Sequence, residues 1–156
     1  MDKKIFLIAF IALMLSMSVV SAAENFKNEK FDGFSIDVPK NSSFAKAASD
    51  EEVSSEFGEF ESYADDSNML IILYSHSPMI SEDNVDFWYQ GFFQSMNPDL
   101  DSCWETQQGN MKLLYPMTSS EASFSLAGFN EGNQTVIIMG PDKDLIELMG
   151  SSFEFN

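Results

Sequence analysis

Apolar and polar positions along the chain fall into short runs separated by clusters of Asp, Asn, Ser, Gly and Pro. Met69-Leu70-Ile71-Ile72-Leu73-Tyr74 is unbroken, with Asp65-Asp66-Ser67-Asn68 before it and Ser75-His76-Ser77-Pro78 after it. A run of that length between turn signals predicts a strand buried on both faces. Val136-Ile137-Ile138-Met139 predicts a second. Phe34, Ile36 and Val38 alternate with Ser35 and Asp37 as far as Pro39, the pattern of a half-buried strand. Residues 57–64 mix aromatics with glutamates and read as an outer strand. The turn chemistry of 65–68 joins it to the apolar run as an antiparallel hairpin. Residues 102–106, 111–115 and 121–129 predict three more strands, with turns at Gln108-Gly109-Asn110 and Glu131-Gly132-Asn133. Residues 24–30 read as a frayed start. Residues 41–56 read as loop, with a helical turn allowed over 44–48. Phe153 and Phe155 alternate in a closing extended segment.

The period changes from 2 to 3.6 twice. Val85, Trp88, Tyr89, Phe92 and Met96 form one stripe, with Asp86, Gln90 and Gln94 opposite. Ser81 is the expected N-cap, Glu82 and Asp83 follow at the positive end of the dipole, and Pro98 lies beyond the end. Gly140-Pro141-Asp142 opens a second helix with Leu145, Leu148 and Met149 as its stripe and Gly150 as its C-cap. Strands joined mostly by short turns, with two amphipathic helices to cover them, predict an α+β fold: a mostly antiparallel sheet of about six or seven strands. No internal repeat or linker interrupts residues 24–156, which read as a single domain.

Residues 1–23 have a different character. Lys3 and Lys4 precede an apolar run over 5–15, and Ser21-Ala22-Ala23 supplies small residues where a signal peptidase reads. This predicts a secretory signal peptide cleaved after Ala23, and so a secreted or extracytoplasmic protein at the cell surface. The competing expectation is an uncleaved anchor, the one route by which the chain would meet a membrane; the run is short for a span.

Charge narrows the partners. Removing Asp2, Lys3 and Lys4 from 25 acids and 8 basic residues leaves 24 against 6, a formal charge of −18 with no arginine. Phosphate backbones and anionic lipid surfaces need clustered Lys and Arg, so neither nucleic acid nor an anionic membrane surface is expected as partner. The plain account of the acidity is solubility; the sharper one is affinity for cations. Asp99-Leu100-Asp101 and Asp65-Asp66-Ser67-Asn68 offer closely spaced oxygens on loops, without the complete spacing of a calcium loop. Asp99 and Asp101 are therefore candidates for a cation, against the commoner role of such residues in turns and caps.

Catalytic sets are scarce in the sequence. His76 is the sole histidine and Cys103 the sole cysteine, so a disulfide-free domain is expected. A His76–Cys103 dyad is conceivable, but Asp99, Asp101 and Glu105 would raise the thiol pKa. There is no Gly-x-Ser-x-Gly elbow, phosphate loop or dinucleotide fingerprint, and no cofactor is expected. With 24 acids, some carboxylate pair is always close. The methionines read as gap-filling core. Asn41-Ser42-Ser43 and Asn133-Gln134-Thr135 match the glycosylation acceptor pattern.

Phe31-Asp32-Gly33-Phe34-Ser35-Ile36-Asp37-Val38-Pro39 resembles the first strand of PsbP-like domains, which are small α-β-α sandwiches, many of them exported. The ending at 145–155, a short helix and then a Ser-Phe strand, is similar to how such domains finish. The chain also resembles small signal-bearing archaeal proteins without an assigned role. Either resemblance implies a binding or accessory module and carries over no functional residue. The reading is a non-enzymatic extracytoplasmic binding or accessory domain with an unknown protein or cell-surface partner. The alternatives are a hydrolase using carboxylates or Cys103, and a divalent-cation-binding surface module.

Overall fold

The computed structural model describes residues 25–46, 60–118 and 123–156. The leader, the cleavage point after Ala23 and parts of the expected loop (47–56) and strands (57–59, 121–122) lie outside the described residues.

The elements are β1 (Phe26–Phe31), β2 (Phe34–Pro39), β3 (Ala45–Lys46), β4 (Phe60–Asp65), β5 (Leu70–Ser75), α1 (Val85–Met96), β6 (Cys103–Gln108), β7 (Met111–Pro116), β8 (Ser125–Glu131), β9 (Gln134–Gly140), α2 (Lys143–Ser151) and β10 (Glu154–Phe155). The fold is α+β. A seven-stranded sheet has the order β3-β4-β5-β9-β8-β7-β6, and a small sheet has the order β1-β2-β10. Every pairing is antiparallel.

Period-2 alternation divides the large sheet's side chains between two cores. Leu70, Ile72, Tyr74, Leu113, Phe129, Val136 and Ile138 face the small sheet and α2, where Phe34, Ile36, Val38, Ile146 and Met149 close over them. Leu114, Leu126, Ile137 and Met139 face α1 and meet Val85, Tyr89 and Phe93. The molecule is a three-layer sandwich: small sheet with α2, large sheet, α1. The expected hairpin of the outer strand with the apolar run is present as β4 and β5, in register from Phe60↔Ser75 to Asp65↔Leu70.

Several expectations are corrected. Residues expected to fray form β1, paired along its whole length with β2. The closing segment adds β10 to the other side of β2, so the strands number ten among the described residues. Residues 45–46 form β3 in place of a helical turn.

Helix α1 begins at Val85, capped at Asn84, not at Ser81. The Asn84 side chain is occupied by the preceding turn: its Oδ1 accepts from the Ser81 amide at 2.9 Å and its Nδ2 donates to the Met79 carbonyl at 2.8 Å. The buried row of α1 is Val85, Tyr89 and Phe93, with Trp88, Phe92 and Met96 half-buried beside it. Tyr89 lies directly over Gly128 of β8, where any Cβ would collide with its ring.

Helix α2 opens as expected: Asp142 accepts from the amides of Asp144 and Leu145 at 3.0 and 3.2 Å. Its buried row is Ile146, Met149 and Gly150, while Leu148 is exposed. Gly150 is no C-cap. It lies inside the helix against Met111, Phe129 and Ala127, and its missing Cβ lets α2 approach β7 and β8. Ser152 caps instead: its hydroxyl donates to the Met149 carbonyl at 2.7 Å and accepts from the Asp37 amide at 2.8 Å, tying α2 to β2. Among the described residues no helix is long and apolar enough to cross a membrane.

Candidate functional site

Strand β6 is the end of the seven-stranded order, with β7 on one side of it. The six-residue ladder from Cys103↔Pro116 to Gln108↔Met111 is unbroken. Among the described residues no backbone hydrogen bond reaches its outer side.

Alternation gives β6 two faces. Cys103 and Glu105 point toward α1. Trp104, Thr106 and Gln108 point toward α2, a direction fixed by the 2.7 Å bond from Gln108 Nε2 to Glu147 Oε1. Trp104 stands opposite Tyr115 in the ladder and is 53% exposed. Beside this pair, an open groove of about 400 Å³ runs between β7 and the start of α2, lined by Tyr115, Pro116, Ser125, Pro141, Asp142 and Lys143. Met117, expected in the core, is exposed after the end of β7, and Ser102 Oγ donates to its sulfur at 3.1 Å.

The electrostatics of this groove are those of a structured surface. Lys143 Nζ is 3.0 Å from Glu147 and 3.7 Å from Asp144, and lies 5.0 Å from the Tyr115 ring centroid. The Glu147 hydrogen bond raises the Lys143 pKa. In turn, donation from Gln108 and then Lys143 holds Glu147 below its ordinary value. Asp142 already uses the amides of the first turn of α2, so the helix start presents no vacant anion cradle.

On the other face, Cys103 packs half-buried beneath α1. Its Sγ is 3.8 Å from Gln90 Oε1, and Gln90 also donates to Glu105, which lies 3.1 Å from Lys112. Burial, and then the Glu105 charge, raise the Cys103 pKa. That is the surrounding of an inert thiol.

His76 is exposed at the end of β5, with Nδ1 3.5 Å from the Tyr74 hydroxyl. Strands β9, β8 and β7 lie between β5 and β6. At about 4.8 Å per strand, that separates the strands bearing the two by roughly 19 Å. The sheet does not bring the conceivable dyad together.

Asp99 and Asp101 are exposed in the turn between α1 and β6. Among the described residues no three His, Cys, Asp or Glu side chains are grouped so as to hold a metal ion. Asp65, in the other acidic cluster, is 1% exposed and acts as a turn anchor. Burial alone would raise its pKa, but bonds from Asn68, Ser42 and the Ser43 and Ser67 amides bring it below the ordinary value. Asn41 is exposed in the turn after β2, and Asn133 is exposed in the β8–β9 turn.

Sequence reasoning missed the groove and the aromatic pair beside it. Trp104 and Tyr115 belonged to separate predicted strands, and a register was needed to place them opposite one another. A second surface, whose aromatic stripe the sequence reads more readily as helix packing than as a ligand cage, is the rim of α1. There Phe60 meets Phe92 at 5.2 Å and Trp88 at 6.3 Å, while Phe87 is 76% exposed. No protein-family model and no curated protein matches the chain.

Proposed function

We propose that this chain is an exported, non-enzymatic binding or accessory domain, and that the surface carried by β6 and the start of α2 meets its ligand. The observation that carries the reading is the half-exposed Trp104, opposite Tyr115 on the sheet edge and beside an open groove. Aromatic side chains fixed by a ladder offer large contact area at small entropic cost. The leader pattern over 1–23 supports export. The resemblance of 31–39 and 145–155 to PsbP-like domains implies the same kind of role. The inert surroundings of Cys103, and its separation from His76, favour binding over nucleophilic hydrolysis.

Two measurements test this. Protein recovered from outside the membrane should begin at Glu24 by intact mass; a full-length, membrane-bound chain would count for the anchor. The same material should show no ester, peptide or glycoside turnover that depends on Cys103. Cys103→Ser should cost about 1 kcal/mol of stability at most. Turnover abolished in a still-folded Cys103→Ser variant would make the hydrolase the better reading.

A further inference from the structure

We propose that β6 takes up an extended, lysine- or arginine-bearing peptide segment as an eighth strand of the large sheet. This deepens the binding-domain reading and rests on it.

The edge itself comes first. Exposed edges are ordinarily blunted by lysine, proline, a bulge or extreme shortness, because unpaired backbone groups recruit other chains. The opposite edge of the sheet ends in β3, which is two residues long. Strand β6 has none of these devices. Cys103-Trp104-Glu105-Thr106-Gln107-Gln108 contains no lysine or proline, and its six pairs with β7 run without a bulge. Its one charge, Glu105, is held by Lys112 and Gln90. In a chain with 25 acids, a nearly neutral edge that nothing covers among the described residues is the exception.

Side-chain register points the same way. An added strand places alternate side chains on the α2 side of the sheet, next to Trp104. An apolar side chain there would cover the exposed part of that ring. Backbone bonds then supply affinity, and the aromatic wall supplies selection.

Charge decides the occupant. Asp99 and Asp101 precede the strand and carry no ion pair among the described residues. Asp142 and Asp144 flank the groove, whose one lysine, Lys143, is engaged by Glu147 and Asp144. A second copy of this chain would bring the same excess of negative charge to the edge. A cationic segment is drawn to it, and salt should weaken that attraction.

The test uses the exported protein carrying Trp88→Phe, so that Trp104 is the sole indole. The probe is a short synthetic peptide with lysine at both ends and alternating valine and threonine between. A glutamate-ended version and a version methylated on alternate backbone nitrogens serve as controls. The lysine peptide should give a saturable change in Trp104 emission, weakened by salt. It should also slow amide exchange across Cys103–Gln108 at least tenfold, and Trp104→Ala should weaken its binding about tenfold. Both controls should fail to bind.

Equal binding of the methylated peptide would overturn strand addition while leaving a binding groove in place. An edge already protected without peptide, in a protein of doubled mass, would assign β6 to a second copy and overturn the proposal. Absence of saturation with the lysine peptide would overturn it as well. Cleavage of the peptide during incubation, seen by mass spectrometry, would instead defeat the binding-domain reading on which the proposal stands.

Discussion

The two faces of the seven-stranded sheet are both rich in aromatics, and they use them differently. Toward the small sheet, Phe34 stacks on Phe31 at 4.8 Å and meets Phe153 at 5.7 Å, while Phe153 stacks on Phe129 at 4.0 Å. Phe34 and Phe129 are wholly buried, because a three-stranded sheet and a helix share the work of covering them. Toward α1, one helix of 12 residues covers a sheet several strands wide. Tyr89 and Phe93 are buried beneath it, but Phe60, Trp88 and Phe92 form a half-exposed rim. Aromatic content therefore does not distinguish core from surface; the width of the covering layer does.

The largest effect expected is on the closed face. Phe34→Ala should cost about 3–5 kcal/mol by denaturant unfolding, since a fully enclosed ring leaves a cavity that its neighbours cannot fill. On the open face, Phe92→Ala should cost about 1–2 kcal/mol, because solvent already reaches the ring and part of the transfer term is absent. Equal losses would erase the contrast.

Gly128 refines it. Gly128→Ala drives a methyl into the Tyr89 ring and should cost about 1–3 kcal/mol. In a Tyr89→Ala background the same change should cost less than about 1 kcal/mol, because the colliding ring is gone. An unchanged cost would locate the strain in the β8 backbone instead.

Acid should act unequally on the two faces. Glu61 and Asp65 lie on the side of β4 that carries Tyr63, toward the small sheet, and Glu147 lies on α2. Glu61 is held below its ordinary pKa by Lys46 and then Tyr63, and Glu147 by Gln108 and then Lys143. Asp65 is held below by Asn68, Ser42 and nearby amides against the opposing effect of burial. A carboxylate with a depressed folded pKa contributes stability above its unfolded pKa, near 4, and loses it as pH falls through the folded value. Tyr63 has the opposite sign: burial, then its bond to Glu61, push it up to about 12. Its contribution is present below pH about 10 and lost as pH rises through about 12. Amide protection relative to the intrinsic exchange rate should thus fall more in β1 and β2 than in α1 between pH 6 and pH 3. A uniform loss of protection would contradict the assignment.

How much of this was legible in the sequence follows from the range of each interaction. Strands β2, β5 and β9 announced themselves because period 2 and turn residues are local signals. Helix α2 did so through Asp142. What was not legible depends on partners distant in sequence. The Asn97 side chain joins the end of α1 to β8, accepting from the Phe124 amide at 2.7 Å and donating to its carbonyl at 3.1 Å. The β1 strand looked like a fraying start because its partner, β2, supplies the apolar side of the pair. Gly150 looked like a C-cap because its neighbours Met111 and Phe129 are remote in the chain. The groove beside Trp104 required both a register and the placement of α2, neither of which a single stretch specifies.

The smallest effect concerns charge, and it again separates the faces. Lys27, Lys46 and Lys143 make ion pairs on the small sheet, β4 and α2, whereas on the α1 side Lys112 is the one lysine that pairs among the described residues, with Asp86 and Glu105. Glu82, Asp83, Asp99 and Asp101 surround the two ends of α1 without an ion pair among the described residues. Self-repulsion is thus concentrated on the more weakly covered face, and screening should relieve it there first. Sodium chloride should raise the melting temperature by a few degrees, on the order of 1 kcal/mol or less, and slow amide exchange in α1 more than in β2. Millimolar calcium at fixed ionic strength should add little, because no run of acids has a complete ligand spacing. A saturable calcium-dependent rise, removed by Asp99→Asn or Asp101→Asn, would mean that a native-state cation site governs this face instead of diffuse charge.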